Sequence, residues 1–96
     1  RPVKSSVGSS GGGQVKNTND QVLAIEFHAR SGNAASAYAG MNDVGPENGR
    51  ELTPGESFVL NFTMVGMDGH AGRALLSEFY VSATAGDKVD WAAVLK

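Results

Sequence analysis

The sequence predicts an all-β domain: a small antiparallel β-sandwich, jelly-roll or immunoglobulin-like, of about six to eight strands with a flexible N-terminal arm. Three observations predict it. Apolar residues recur at every second position in four separate stretches, turn-forming residues interrupt the chain at intervals of roughly 8 to 15 residues, and residues 1–14 are rich in serine and glycine.

The first segment, from Arg1 to Gln14, includes Ser5, Ser6, Gly8, Ser9, Ser10, Gly11, Gly12 and Gly13 and offers almost nothing apolar to bury. It reads as a flexible arm over 1–14, ahead of a sandwich domain over 15–96. A short strand is expected at Gly13 to Asn17. Next comes a half-buried strand over Gln21 to Ala29, with Leu23, Ile25, Phe27 and Ala29 on one face and Glu26 and His28 on the other. A weaker strand is expected at Ala35 to Met41, where Tyr38 sits among small residues. Phe58, Leu60 and Phe62 alternate with Asn61 and Thr63 to give another strand. Phe79, Val81 and Ala83 alternate with Glu78, Ser82 and Thr84, and Val89, Trp91, Ala93 and Leu95 alternate with Lys88 and Asp90. Between these lie breaks at Asn19-Asp20, Ser31-Gly32-Asn33 and Ala85-Gly86-Asp87. Asn48-Gly49 and Pro54-Gly55 are expected to close hairpins, the second as a type II turn with Gly55 in its left-handed position. Over His70 to Phe79 a short helix through Ala71, Ala74, Leu75 and Glu78 competes with a loop from Met64 to Arg73 leading into a strand, and the loop is the preferred reading.

With 96 residues there is room for one small domain, in which folding removes only about 60 to 65% of the unfolded chain's surface. No apolar run approaches membrane-spanning length. The net charge of −2 argues against a protein that grips nucleic acid by neutralising phosphates. That charge is unevenly spread. Arg1, Lys4 and Lys16 precede every acidic residue, so residues 1–16 carry +3, while five basic and ten acidic residues leave the remainder at −5. A basic arm on an acidic body suits ordering against an acidic partner surface. The absence of cysteine removes disulfides, thiolate metal sites and cysteine nucleophiles together. The chain opens on Arg1 rather than Met, with no apolar signal core behind it, which suggests processing or trimming.

The residues that could carry chemistry are few. Gly8 to Gly13 has no Lys-Ser/Thr pair after it and no strand-to-helix context, so it is no phosphate loop. His28 falls on an outward strand face and His70 in a Gly-rich turn, neither with ligand spacing. No GxSxG elbow positions a serine nucleophile. Asp43, Glu47 and Glu51 cluster in one loop, where a carboxylate pair for glycoside chemistry or, with Asn42, a calcium site is conceivable; a solvated acidic loop is the simpler reading. Asn61-Phe62-Thr63 matches a glycosylation sequon inside a strand. No catalytic, cofactor-binding or metal-binding residue is therefore assigned, and no cofactor is expected. Trp91 and the phenylalanines lie in the inward phase of their strands, whereas Tyr80 falls in the outward phase beside Glu78 and Ser82. Arg1, Lys4, Lys16, Tyr38 and Tyr80 are the candidate partner interface.

From Asn17 onward the sequence resembles a small β-sandwich module of structural proteins in tailed bacteriophage particles. The residues that carry the resemblance are Lys16-Asn17-Thr18-Asn19-Asp20, His28-Ala29-Arg30, Ser31-Gly32-Asn33, Tyr38-Ala39-Gly40 and Asn42-Asp43-Val44, followed by Asn48-Gly49 and Leu52-Thr53-Pro54-Gly55-Glu56-Ser57. Phe79-Tyr80-Val81 and Ala85-Gly86-Asp87-Lys88-Val89-Asp90-Trp91 complete the order. Met64 to Arg73 is longer than the corresponding connection. The resemblance implies a non-enzymatic virion protein, in first place a decoration or cement protein that binds and stabilises the assembled head. A tail or fibre module binding a receptor or glycan is the alternative. It further implies contact with the major capsid protein or another virion protein, a homo-oligomer with a trimer favoured, no nucleic-acid or membrane partner, synthesis in the host cytoplasm and a final place on the capsid surface.

Overall fold

The computed structural model describes residues 2–8, 12–41, 44–61 and 74–96. Eight strands occupy them: β1 (Pro2–Gly8), β2 (Gly12–Gln14), β3 (Val22–Ala29), β4 (Ala37–Gly40), β5 (Arg50–Leu52), β6 (Ser57–Asn61), β7 (Tyr80–Ser82) and β8 (Lys88–Leu95). They form two antiparallel four-stranded sheets, ordered β1-β8-β3-β6 and β2-β7-β4-β5. Strands 1 and 8, 2 and 7, 3 and 6, and 4 and 5 are paired. The chain is thus one long antiparallel ribbon rolled so that successive pairs alternate between sheets, which is the jelly-roll order.

Alternation builds the core. Ile25, Phe27, Ala29, Val89, Trp91, Ala93 and Leu95 point inward from the first sheet and meet Ala37, Ala39, Leu52 and Val81 from the second. Large side chains on one face and small ones on the other let the two layers interdigitate. The Phe27 and Phe79 rings meet at 6.1 Å with a 49° tilt. Phe58 and Leu60 lie on an edge strand and are only half-buried, packed against this core. Phe62 lies outside the described residues.

Leu23 does not take the inward place that alternation gives it. Pairing with β8 shifts between Val22 and Ala24, so Leu23 is the extra residue of a bulge and Val22 enters the core instead. The preferred loop over Met64 to Arg73 lies outside the described residues. Part of the competing helix exists as a single 3₁₀ turn, Leu76–Glu78, just ahead of β7. It is pinned where the Leu76 and Ser77 amides donate to the Asp20 and Thr18 carbonyls at 2.8 and 2.9 Å, which sends Leu76 into the core.

The expected flexible arm is corrected over its described part. Pro2–Gly8 pairs with β8 along its whole length, and Gly12–Gln14 pairs with β7. Serine and glycine have low strand propensity, but the ladder is made by backbone groups, and a partner strand as apolar as Lys88–Leu95 leaves an edge that a neighbouring segment can cover.

Turn chemistry is read correctly at two sites and misplaced at one. Gly55 has φ +88° and the Glu56 amide donates to the Thr53 carbonyl at 2.8 Å, the expected type II turn, but it carries the chain from β5 to β6 in the other sheet and closes no hairpin. Gly86 has φ +93° and the Asp87 amide donates to the Thr84 carbonyl at 2.9 Å. The β4–β5 connection, however, turns at Pro46-Glu47, where Gly45 and Asn48 exchange two backbone hydrogen bonds of 3.0 Å. Gly49 follows as a left-handed residue (φ +100°) whose absent Cβ would come within 2.6 Å of the Ala39 carbonyl oxygen. Only glycine fits there.

Candidate functional site

Two outward sheet faces carry the side chains available to a partner. On the second sheet, Tyr80 pairs with Gly40 and Tyr38 with Ser82 across the β4–β7 ladder. The two tyrosines therefore occupy diagonal positions on adjacent strands, a separation of roughly 7 to 8 Å that aromatic rings bridge. Their directly opposite neighbours are small, so both half-buried rings present a face to solvent. Gln14 and Glu51 flank them on the outer strands of the same sheet. Tyr80 also lines a notch of about 370 Å³ with Ser77, Glu78 and Met41, the last 51% exposed. The Gln14 side-chain amide donates to the Ser77 carbonyl at 2.8 Å, which fixes one wall of that region.

The outer face of the first sheet is divided along the strands. One end is polar. Ser57, His28 and Asp90 stand in a row on β6, β3 and β8. Ser57 Oγ and His28 Nδ1 share a hydrogen bond of 2.7 Å. Arg30, just past β3, forks onto Asp90, its Nε donating at 3.2 and 3.0 Å to Oδ1 and Oδ2 and its Nη2 at 2.9 Å to Oδ1. Although Ser57, His28 and Asp90 are the residue types of a nucleophilic triad, both carboxylate oxygens accept from Arg30, and the row lies on an open sheet surface. What it offers is hydrogen bonding to a partner. The fork holds the Asp90 carboxyl below the ordinary carboxylate range, chiefly through the hydrogen bond from Arg30, with partial burial opposing it.

A depressed folded-state pKa means the fork contributes stability above the unfolded value near 3.9 and loses it as pH falls through the lower folded value. Because both side chains are substantially exposed, solvent screens the pair and the contribution is small. Asp90→Asn is therefore expected to lower the melting temperature by a small constant amount at pH values well above the unfolded value, with the difference from the parent closing as pH falls through the lower folded value. Thermal denaturation monitored by circular dichroism across that range checks it.

The other end of the same face is apolar. Pro2, Ala24, Ala92, Val59 and Val94 surround a groove of about 550 Å³, and Val59 and Val94 are 56% and 43% exposed. Sequence reasoning did not select this patch. Its signal was present, because Val59, Ala92 and Val94 occupy the outward phase of strands whose inward phase was recognised.

Of the candidate interface residues, Tyr38 and Tyr80 are brought together, whereas Lys4 stands on the opposite sheet's outer face beside Ala92. Lys16 is exposed just after β2, and Arg1 lies outside the described residues. Asn42, Asp43, Phe62, Thr63 and His70 also lie outside them, so of the acidic loop's candidate ligands only Glu47 and Glu51 are described, both exposed, and of the sequon only Asn61. Among the described residues no group of three His, Cys, Asp or Glu is placed to hold a metal ion. No described helix is long and apolar enough to cross a membrane. No protein family, curated protein or solved structure matches this chain.

Proposed function

We propose that this chain is a non-enzymatic structural protein of a tailed-phage particle, a decoration or cement protein that seats on the assembled head and stabilises it. The observation that carries the reading is the pairing of Tyr38 and Tyr80 on one outward face beside exposed Met41, residue types that interface cores favour. The resemblance over Asn17 to Trp91 supports it, as does the strand order, since jelly rolls recur in capsid proteins; the latter is analogy at the level of fold. Such a protein acts by mass action: binding only to the assembled shell, it stabilises that shell at every repeated site without any reaction. Of the expected basic arm, Lys4 stands within β1 on the outer face of the other sheet and takes no part in this surface, while Lys16 is exposed just after β2.

Jelly rolls also recur in lectins, and the tyrosine pair with Gln14 and Glu51 alongside has the character of a sugar-stacking platform. A receptor- or glycan-binding tail module is thus the second reading. The test is co-sedimentation with heads purified from phage lacking this protein. Many symmetric copies are expected on the shells, falling at least tenfold in affinity when Tyr38 and Tyr80 are both replaced by serine, a loss in the range of interface hot spots. Absence of the protein from the pelleted shells overturns the cement reading, and retention on a glycan array then selects the second.

A further inference from the structure

Four residues stand in one row across the outer face of the first sheet: Lys4 on β1, Ala92 on β8, Glu26 on β3 and Val59 on β6. The next row is Pro2, Val94, Ala24 and Asn61. Lys4 and Glu26 flank Ala92 from the two strands on either side of β8, roughly 10 Å apart at the backbone. Among the described residues neither makes an ion pair or a side-chain hydrogen bond. Each is a charge at the border of the apolar end, without a counter-charge in its own copy.

We propose that this face is the contact between two copies of the chain, related by a two-fold axis that runs along β8 at Ala92. A half-turn about that line lays the sheet face to face on itself and exchanges the strands flanking β8. Lys4 of each copy then stands over Glu26 of the other, giving two ion pairs from residues unpaired in the monomer. Along the same axis Val94 meets Val94, and Pro2 meets Ala24. The small side chain of Ala92 at the centre permits the close approach of about 10 Å typical of stacked sheets. Asp90 also lies on the axis, but its charge is already held by the Arg30 fork. Such self-complementarity is what a two-fold contact requires, since every donor patch must find its acceptor on an identical surface.

With the axis on β8, the strands β1, β8 and β3 of each copy overlap while β6 reaches past the partner's edge, so roughly 300 to 400 Å² per copy is covered, the size of a weak, transient contact whose specificity rests on the two ion pairs. A weak, reversible dimer is expected, in place of the three-fold assembly suggested by the resemblance. The contact depends on the chemistry of this face and not on the virion reading, which uses the opposite face.

Sedimentation velocity from about 1 μM to about 1 mM tests it, a range that reaches a weak dimer. The parent is expected to shift from monomer to dimer. Lys4→Glu and Glu26→Lys, each opposing like charges at both ends of the interface, are expected to weaken the dimer at least tenfold, and the double exchange to restore it to within about threefold. Circular dichroism confirms that the variants remain folded. Should one fail to fold, zero-length carbodiimide coupling of mixed light and ¹⁵N-labelled parent protein is expected to yield a Lys4–Glu26 link between copies. A parent that stays monomeric throughout, a trimer, a double exchange that does not restore association, or links only within one copy overturns the proposal.

Discussion

Deleting residues 1–8 is expected to lower the melting temperature by at least 10 °C and to drive open-ended aggregation through the exposed edge. β1 covers β8 from Lys88 to Val94, a strand whose inward residues Val89, Trp91 and Ala93 are buried in the core. Without it, a run of unpaired backbone groups beside Trp91 becomes an open template for another chain. Val3 also leaves the margin of the core. In a domain of this size about 1 kcal/mol corresponds to 4–8 °C, so the loss of a seven-residue ladder easily reaches that shift. The contrasting variant is Ser5→Ala, expected to change the melting temperature by no more than a degree or two, since Ser5 pairs with Trp91 through its backbone and its side chain is exposed. Light scattering and thermal denaturation of both proteins check this. A truncated protein as stable as the parent and no more aggregated would show that β1 contributes nothing to the sheet.

The second large effect is expected from Asp87→Ala. Asp87 is only 6% exposed, and its carboxylate accepts from the Ala34 and Ala35 amides at 2.8 and 3.1 Å. Two charge-assisted bonds therefore tie the β3–β4 connection to the turn before β8. A neighbouring side chain repeats the device: Asn33 donates to the Lys88 carbonyl at 2.8 Å and accepts from its amide at 2.9 Å, imitating one rung of a β-ladder. Because the two alanines are exposed and water can reach their amides, the expected cost is about 2 to 3 kcal/mol, less than the sum of two such bonds in a dry site. Asp87→Asn keeps one acceptor but turns an NH₂ group toward the other amide, so it is expected to fall between parent and alanine. Chemical denaturation followed by the fluorescence of the single tryptophan, Trp91, measures both.

The contrast between β6 and β1 shows what a sequence makes legible. Ser57–Asn61 alternates Phe58 and Leu60 with polar or outward residues, and a period of two has only one structural meaning over that length. Pro2–Gly8 carries no such alternation, because its pairing is made by backbone groups and is specified by the partner strand 90 residues away, not by its own side chains. The three-residue strand β5 is too short for any period to register. Leu23 was misassigned for a different reason: a bulge resets the phase, and nothing local announces it. At the turns, Pro54-Gly55 acts through its own φ preferences and was readable, whereas Asn48-Gly49 yielded to Gly45-Pro46-Glu47-Asn48 because Val44 and the Ala39 carbonyl crowd Gly49. The site divides likewise. That Tyr38 and Tyr80 face outward follows from alternation, while their adjacency depends on β4 pairing with β7 across 40 intervening residues, which topology alone decides.

That topology also fixes the order of events in time. The first strand finds its partner only in the last, so the outermost pair of the rolled ribbon closes across nearly the whole chain. Chains that depend on such distant pairings fold in milliseconds to seconds and not in microseconds, since loop closure comes before the contacts that reward it. On the ribosome, the inner pair β4–β5 can form early, but the edge of the first sheet waits until Leu95 has left the exit tunnel. Until then one edge of β3 lacks the backbone partner that β8 supplies, and the growing chain is at its most adhesive.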